Sequence, residues 1–179
     1  MDRVFLLAAV APEHITTEID KLRSSIFRKT GMVSALALDP VIPIAFYSGP
    51  IPKEIFSETK APEARFKILA AEIAGNSIFL KVNNSHFFQE LSAKPEEAEK
   101  TSPFFEPFSG FFISECSSPS ECNSVMDLIE LHKELQSVSW SGLKIQLVEI
   151  AYEESSPWFN SLDWNIYWEI SLRVLSTST

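Results

Sequence analysis

The C-terminal stretch Trp164–Val174 alternates strictly, with Ile166, Trp168, Ile170, Leu172 and Val174 on one side and Tyr167, Glu169, Ser171 and Arg173 on the other. A period of two marks a strand with one buried face, because successive Cβ atoms point to opposite sides of a sheet. A strand this long cannot stand alone. Its backbone groups need partner strands, and its apolar face needs a core to enter. Leu143–Tyr152 is a second long strand pattern just upstream. The end of the chain therefore belongs to a sheet.

The rest of the chain adds helices to that sheet. Val4–Val10 reads as a buried strand, followed by a helix whose apolar positions Ile19, Leu22, Ile26 and Phe27 recur at helical spacing. Thr17 and Asp20 suggest a capping box at its start, and Gly31 stands where a left-handed cap would end it. Strands are expected at Ala35–Leu38 and Ile42–Tyr47, with Pro43 suiting an edge or a bulge. A second helix is expected over Pro62–Ala74 from the spacing of Phe66, Leu69, Ala70 and Ile73, stopped by Gly75-Asn76. Ile78–Val82 is a strand, and residues 91–103 are polar and Pro-punctuated, hence a loop with at most one helical turn. Phe111–Glu115 is a strand. The helix after it carries Val125, Leu128, Ile129, His132, Leu135 and Val138 on one face. The order predicts an α+β fold as one domain over 1–179, with two pseudo-symmetric lobes of antiparallel sheet, residues 1–90 and 104–179, joined by the loop 91–103 and with helices packed outside.

Composition sets the functional bounds. The 179 residues are 45% hydrophobic and 22% charged, which is ordinary for a folded domain that buries roughly 70% of its unfolded surface. The net charge of −9 argues against a long nucleic acid as partner, since phosphate contacts need a basic face. Cys116 and Cys122 are too few for a disulfide framework and read as small structural residues. The N-terminal apolar run follows only Asp2-Arg3 and reads as a strand rather than a signal segment. No run reaches the ~18 apolar residues of a membrane span, so a cytoplasmic protein is expected.

Few residues suggest chemistry. His14-Ile15-Thr16 spells a tripeptide that can act on phosphate, but it stands at a helix entrance, where hydroxyls satisfy free N–H groups, and no second copy exists in the chain. His132 falls on an apolar stripe with no second metal donor nearby, so no metal or cofactor is expected. Asp39 and Glu115 border two strands, and Glu149, Glu153 and Glu154 cluster on and after a third, where a solvated turn is the plain reading. Neither a Gly-rich phosphate loop nor a Gly-x-Ser-x-Gly elbow occurs.

Several local stretches carry a family resemblance: the opening RVFLLAAVAPE with the helix IDKLRSSI, Phe46-Tyr47-Ser48-Gly49 closing a strand, Pro107-Phe108 leading into Gly110-Phe111-Phe112-Ile113-Ser114, and the finish LKIQLVEIAYEE with WNIYWEISLRV. In order and character the chain resembles the 2H phosphoesterase superfamily, which includes the RNA 2′,3′-cyclic phosphodiesterases once called 2′-5′ RNA ligases. Members of that family carry two His-x-Thr/Ser tripeptides facing one cleft, one His as general base and the other as general acid, with the hydroxyls holding the phosphate. Counted back from Gly49, the first motif falls on Ile42-Pro43-Ile44 and the second on Phe112-Ile113-Ser114, which keeps only the hydroxyl. The resemblance therefore implies a member without the acid–base pair, with Ile42, Ile44, Phe112 and Ser114 lining a remnant cleft and no catalytic residue assigned. The expected role is non-catalytic binding of a small ligand or a protein partner. The alternative is a 2′,3′-cyclic phosphodiesterase-type hydrolase that uses other residues.

One aromatic segment stands apart. Pro103-Phe104-Phe105-Glu106-Pro107-Phe108 precedes Phe111-Phe112, and Trp158 lies further on. These rings either fill the core where an active site would have been, or Phe104, Phe105, Phe108 and Trp158 form an exposed patch for a partner.

Overall fold

The N-terminal apolar run is β1 (Asp2–Val10), and it is buried on both faces from Val4 to Ala9. The computed structural model describes residues 1–174. Phe5, Leu7 and Ala9 of β1 enter one hydrophobic cluster, while Val4, Leu6 and Ala8 enter another on the opposite face. Covering both faces explains why β1 reads as a continuous apolar run rather than an alternating one.

Two sheets and three α-helices make up the described residues, an α+β architecture. The larger sheet contains β1, β2 (Ile42–Tyr47), β3 (Lys60–Ala61), β6 (Lys100–Thr101), β9 (Leu143–Tyr152) and β10 (Asp163–Val174), in the order β3-β10-β9-β1-β2-β6. The smaller contains β4 (Phe66–Ala74), β5 (Ser77–Val82), β7 (Gly110–Glu115) and β8 (Ser139–Trp140), in the order β7-β5-β4-β8. Pairing is antiparallel except for the short parallel contact of β3 with β10.

Each sheet draws strands from both halves of the chain, so the two sheets do not correspond to residues 1–90 and 104–179. The cause is long-range pairing. β9 zips along all of β1, from Tyr152 opposite Asp2 to Lys144 opposite Val10, and β7 pairs with β5. In the segment 91–103, the first residues end α2 (Ser85–Ala93) and Lys100–Thr101 form β6.

Helix α1 (Glu13–Thr30) buries Ile15, Ile19, Leu22 and Ile26, and Gly31 caps it at φ 75° with its N–H on the Phe27 carbonyl at 2.7 Å. It begins one turn earlier than the expected Thr17 box: Pro12 is the cap position, and Thr16 Oγ1 donates to the Glu13 carbonyl at 3.0 Å. Arg23 lies on the buried side, with Nη1 donating to Asp20 Oδ1 at 3.2 Å and Nη2 to the Leu38 carbonyl, so α1 is tied to the segment that feeds β2. Ser118 caps α3 (Pro119–Glu130) by accepting from the Glu121 N–H at 3.2 Å, and Pro119 fits its first turn.

Three expected elements differ. Residues 66–74 are strand β4, not a helix, and the helical stripe is not used: Leu69 and Ile73 are exposed. Gly75, at φ 59°, turns β4 tightly back onto β5, and that hairpin outweighs the helical spacing. Val33–Leu36 form a 3-10 turn where a strand was expected over Ala35–Leu38. The third helix stops at Glu130 and gives way to a 3-10 turn over Lys133–Ser137, with Leu135 still buried.

Strand β10 follows its sequence pattern with one interruption. Ile166 pairs with Val148 and Trp168 with Leu147, which leaves Tyr167 as an extra residue in a bulge. Val148 and Leu147 belong to opposite clusters, so the bulge sends Ile166 and Trp168 to opposite faces. Ile166 and Tyr167 are consequently exposed, while the indole Nε1 of Trp168 donates to the Ile51 carbonyl at 2.6 Å.

Candidate functional site

The two sheets approach one another through β2 and β7. β7 is the outermost strand of the smaller sheet. β2 is covered on its outer side only at Phe46 and Tyr47, by Thr101 and Lys100 of β6. Where the sheets diverge, a cleft of about 800 Å³ opens. Pro43, Ile44, Ala45 and Phe46 form its floor, α2 supplies Ser85, Gln89 and Ser92, and the approach to β7 supplies Phe108 and Ser109. Pro43 fits here because an edge tolerates a missing N–H, and the β1–β2 register also shifts beside it.

The charged side chains lining the cleft are Lys81 of β5, Lys100 of β6, and Glu106. Two ammonium groups and one carboxylate thus face the cleft, and Glu72 offsets the charge of Lys81. Lys100 Nζ donates to Ser92 Oγ at 2.9 Å, and Lys81 Nζ meets Glu72 Oε1 at 2.8 Å. Such exposed pairs contribute about 0–1 kcal/mol and leave the ammonium groups free to exchange partners. Behind Ser92, the Tyr47 hydroxyl donates to the Ser92 carbonyl at 3.3 Å, and burial pushes that phenol up to about 12. Hydroxyls, an amide and two ammonium groups can bind and orient a polar guest. Among the described residues, no histidine or cysteine lines the cleft, and no group of three or more His, Cys, Asp or Glu could hold a metal ion.

Only one of the four remnant-cleft residues reaches this space. Ile44 lines it. Ile42 is fully buried in the larger cluster, Phe112 is buried among aromatic rings, and Ser114 is buried with its Oγ lacking a hydrogen-bond partner. His14 is exposed in the first turn of α1 and does not line the cleft. His132 is half-buried, with Nδ1 at 3.3 Å from Glu134 Oε1.

The aromatic segment packs between the sheets. Phe105 lies parallel to Phe112 at 4.7 Å and 9°, and edge-on to Phe46 of β2 and Phe79 of β5. Phe104 stacks on Trp158 at 4.9 Å. Phe105 and Trp158 are buried, and Phe104 and Phe108 are half-buried, so packing accounts for their positions and an exposed patch does not. Phe108 has a second role, since one side of it borders the cleft. The carboxylates also have structural partners. Glu115 accepts from the Trp158 indole N–H at 2.5 Å, Glu149 meets Arg3 at 2.9 Å, and Asp39 lies in the field of Asp20 and Arg23.

Lys81, Gln89, Ser92 and Lys100 were not singled out by sequence reasoning. Lysine in the strand IFLKV, where the alternation predicts a buried face, was the available signal.

The fold and cleft define an α+β protein of two sheets with a polar site at their meeting edge. In comparisons with known proteins, no family model matches the chain and no curated protein matches it. No helix among the described residues is long and apolar enough to cross a membrane.

Proposed function

We propose that this is a non-catalytic binding domain of 2H-like architecture, acting in the cytoplasm, whose cleft takes a small ligand or a segment of a protein partner. The observation that carries this reading is the cleft itself. Its volume of about 800 Å³ falls within the range of roughly 300–1,000 Å³ typical of ligand sites. It lies against β2, the strand on which the resemblance puts the first catalytic tripeptide. The approach of β2 to β7 supports the 2H-like reading, since β7 carries the second tripeptide position. At those positions Ile42 and Phe112 cannot move a proton, and both are buried in packing.

The test has two arms. A fragment screen followed by amide NMR shifts should perturb Ile44, Ser92 and Lys100, and a 2′,3′-cyclic mononucleotide should not be turned over. Ligands that gather elsewhere on the surface would remove the cleft reading. Turnover lost on Lys81→Ala or Lys100→Ala would instead favour the hydrolase alternative.

A further inference from the structure

We infer that the cleft takes an uncharged saccharide, whose ring hydroxyls pair with α2 and whose C–H face rests on Phe108; this rests on the cleft being a binding site, as proposed above. Charge comes first. Lys81 and Lys100 line the cleft, but Glu72 holds Lys81 at 2.8 Å, Glu106 lines the cleft too, and Glu99 precedes Lys100 in the chain. The carboxylates leave no positive excess for an anion, and the two ammonium groups oppose a cation. A charged guest would give up its hydration without a free counter-charge to replace it.

Helix α2 sets the hydrogen bonding. Ser85, Gln89 and Ser92 lie four and then three residues apart, hence on one helix face, and all three line the cleft. Ser85 and Gln89 are exposed there. The Gln89 amide carries an acceptor and donors in one plane, which matches two adjacent hydroxyls of a sugar ring, one donating and one accepting. Two further hydroxyls have their roles set by neighbours. Ser92 Oγ accepts from Lys100 Nζ at 2.9 Å and keeps its own proton to give, whereas Ser102 Oγ donates to Glu106 Oε2 at 3.1 Å and keeps lone pairs to accept. An ionised carboxylate only accepts and an ammonium only donates. A saccharide hydroxyl does both, so it can use every one of these groups.

Phe108 supplies the apolar contact. Its ring centroid lies 5.0 Å from that of Phe79 with the planes at 31°, so one side of the ring is packed, and the half-buried remainder borders the cleft. The backbone beneath it is fixed. The Gly110 N–H donates to the Phe108 carbonyl at 2.7 Å and the Val82 N–H to the Ser109 carbonyl at 2.8 Å. A Cβ at Gly110 would collide with the Leu80 carbonyl oxygen, so this close approach needs glycine. Phe108 is thus in place before a guest arrives, which lowers the ordering cost of binding. The face of an aromatic ring carries negative charge density, and the polarised C–H bonds on one side of a sugar ring are its positive counterpart. A guest with an apolar face and a rim of hydroxyls fits between Phe108 and α2.

The experiment titrates the full chain, labelled with ¹⁵N, with glucose, galactose, mannose, N-acetylglucosamine, maltose and cellobiose. Open-chain sorbitol, glucose 6-phosphate, glucosamine and a panel of small-molecule fragments run beside them. At least one neutral saccharide should shift the amides of Ser85, Gln89 and Ser109 saturably, and its own ring protons should move upfield under the Phe108 ring current. Gln89→Ala, at an exposed helix position, should weaken that binding roughly fivefold or more. Phe108→Leu should weaken it to a similar degree, while Phe108→Tyr keeps it. Sorbitol and the two charged sugars should bind more weakly than the neutral ring. If fragments shift cleft amides and no saccharide does, the saccharide inference is overturned while the binding-site reading stands. It is equally overturned if Gln89→Ala leaves affinity unchanged, or if sorbitol or a charged sugar binds as tightly as the neutral ring. If neither fragments nor saccharides shift the cleft amides, both readings fail.

Discussion

Ser34 closes the end of β7 in place of a strand. Its hydroxyl donates to the Glu115 carbonyl at 3.1 Å and accepts from the Glu115 N–H at 3.0 Å, across 81 residues of sequence. Ser34 is buried and Glu115 half-buried, so loss of the hydroxyl leaves backbone groups with restricted access to water. Ser34→Ala should cost about 1–3 kcal/mol, the penalty of leaving buried polar groups unpaired. Urea unfolding should show a lower midpoint at unchanged slope. A midpoint within error of the native protein would mean that the end of β7 is wet.

Phe105 is the ring that wedges the two sheets together, through Phe46, Phe79 and Phe112. Phe105→Ala removes a nearly buried aromatic ring from a packed layer and should cost about 3–5 kcal/mol in equilibrium unfolding. Phe105→Leu keeps most of the volume and should cost clearly less. Equal losses for the two variants would point to ring stacking rather than volume as the source.

Cys116 should be chemically silent while the protein is folded. Burial pushes its thiol up to about 12, with neighbouring Cys122 and Glu121 adding to the rise. The thiolate is the reacting form, so at pH 8 labelling should be on the order of a thousandfold slower than for an exposed cysteine. Mass spectrometry of labelled peptides over a urea series checks this, and the Cys116 rate should climb with unfolding. Fast labelling in native buffer would contradict it.

Asp39 should make stability fall as pH rises through the acid range. Burial holds its carboxyl above its ordinary value of 3.8, and the Asp20 carboxylate adds to this while Arg23 opposes it. A raised folded-state value means that the folded chain holds the proton more tightly than the unfolded one. That contribution is present below 3.8 and is lost as pH climbs through the raised value. Asp39→Asn should therefore raise the melting temperature at pH 7 and give no gain near pH 3. Because the Asp39 residue is exposed, solvent screening keeps the effect small.

Legibility of the fold in the sequence varied with how local each signal was. β1, α1, β9 and β10 were readable because period and length agreed within each segment, and at α1 the Gly31 cap agreed while the Thr17 box did not. β4 was not, since Phe66, Leu69, Ala70 and Ile73 fit a helical stripe, and what overrode them was pairing with β5 through the tight turn at Gly75. The Gly-Asn pair read as a helix stop is also a hairpin signal, and it was the clue to the strand. The bulge at Tyr167 was invisible because it depends on β9's register. At the candidate site, Ile44 was singled out because it stands on a strand that the resemblance marks. Lys81 and Lys100 converge on it from β5 and β6, and sequence spacing carries no information about that convergence.

The pairing of β1 with β9 has a consequence during synthesis. β1 leaves the ribosome long before β9, and the strand that covers one of its edges is completed only at Tyr152. At about 5–20 residues per second, that edge waits on the order of ten to thirty seconds for its partner. For that interval the apolar run Val4–Val10 is bordered at best by β2, with an unsatisfied row of backbone groups on its other side. That edge of β1 thus stays open to wrong pairing until the β9–β10 hairpin emerges.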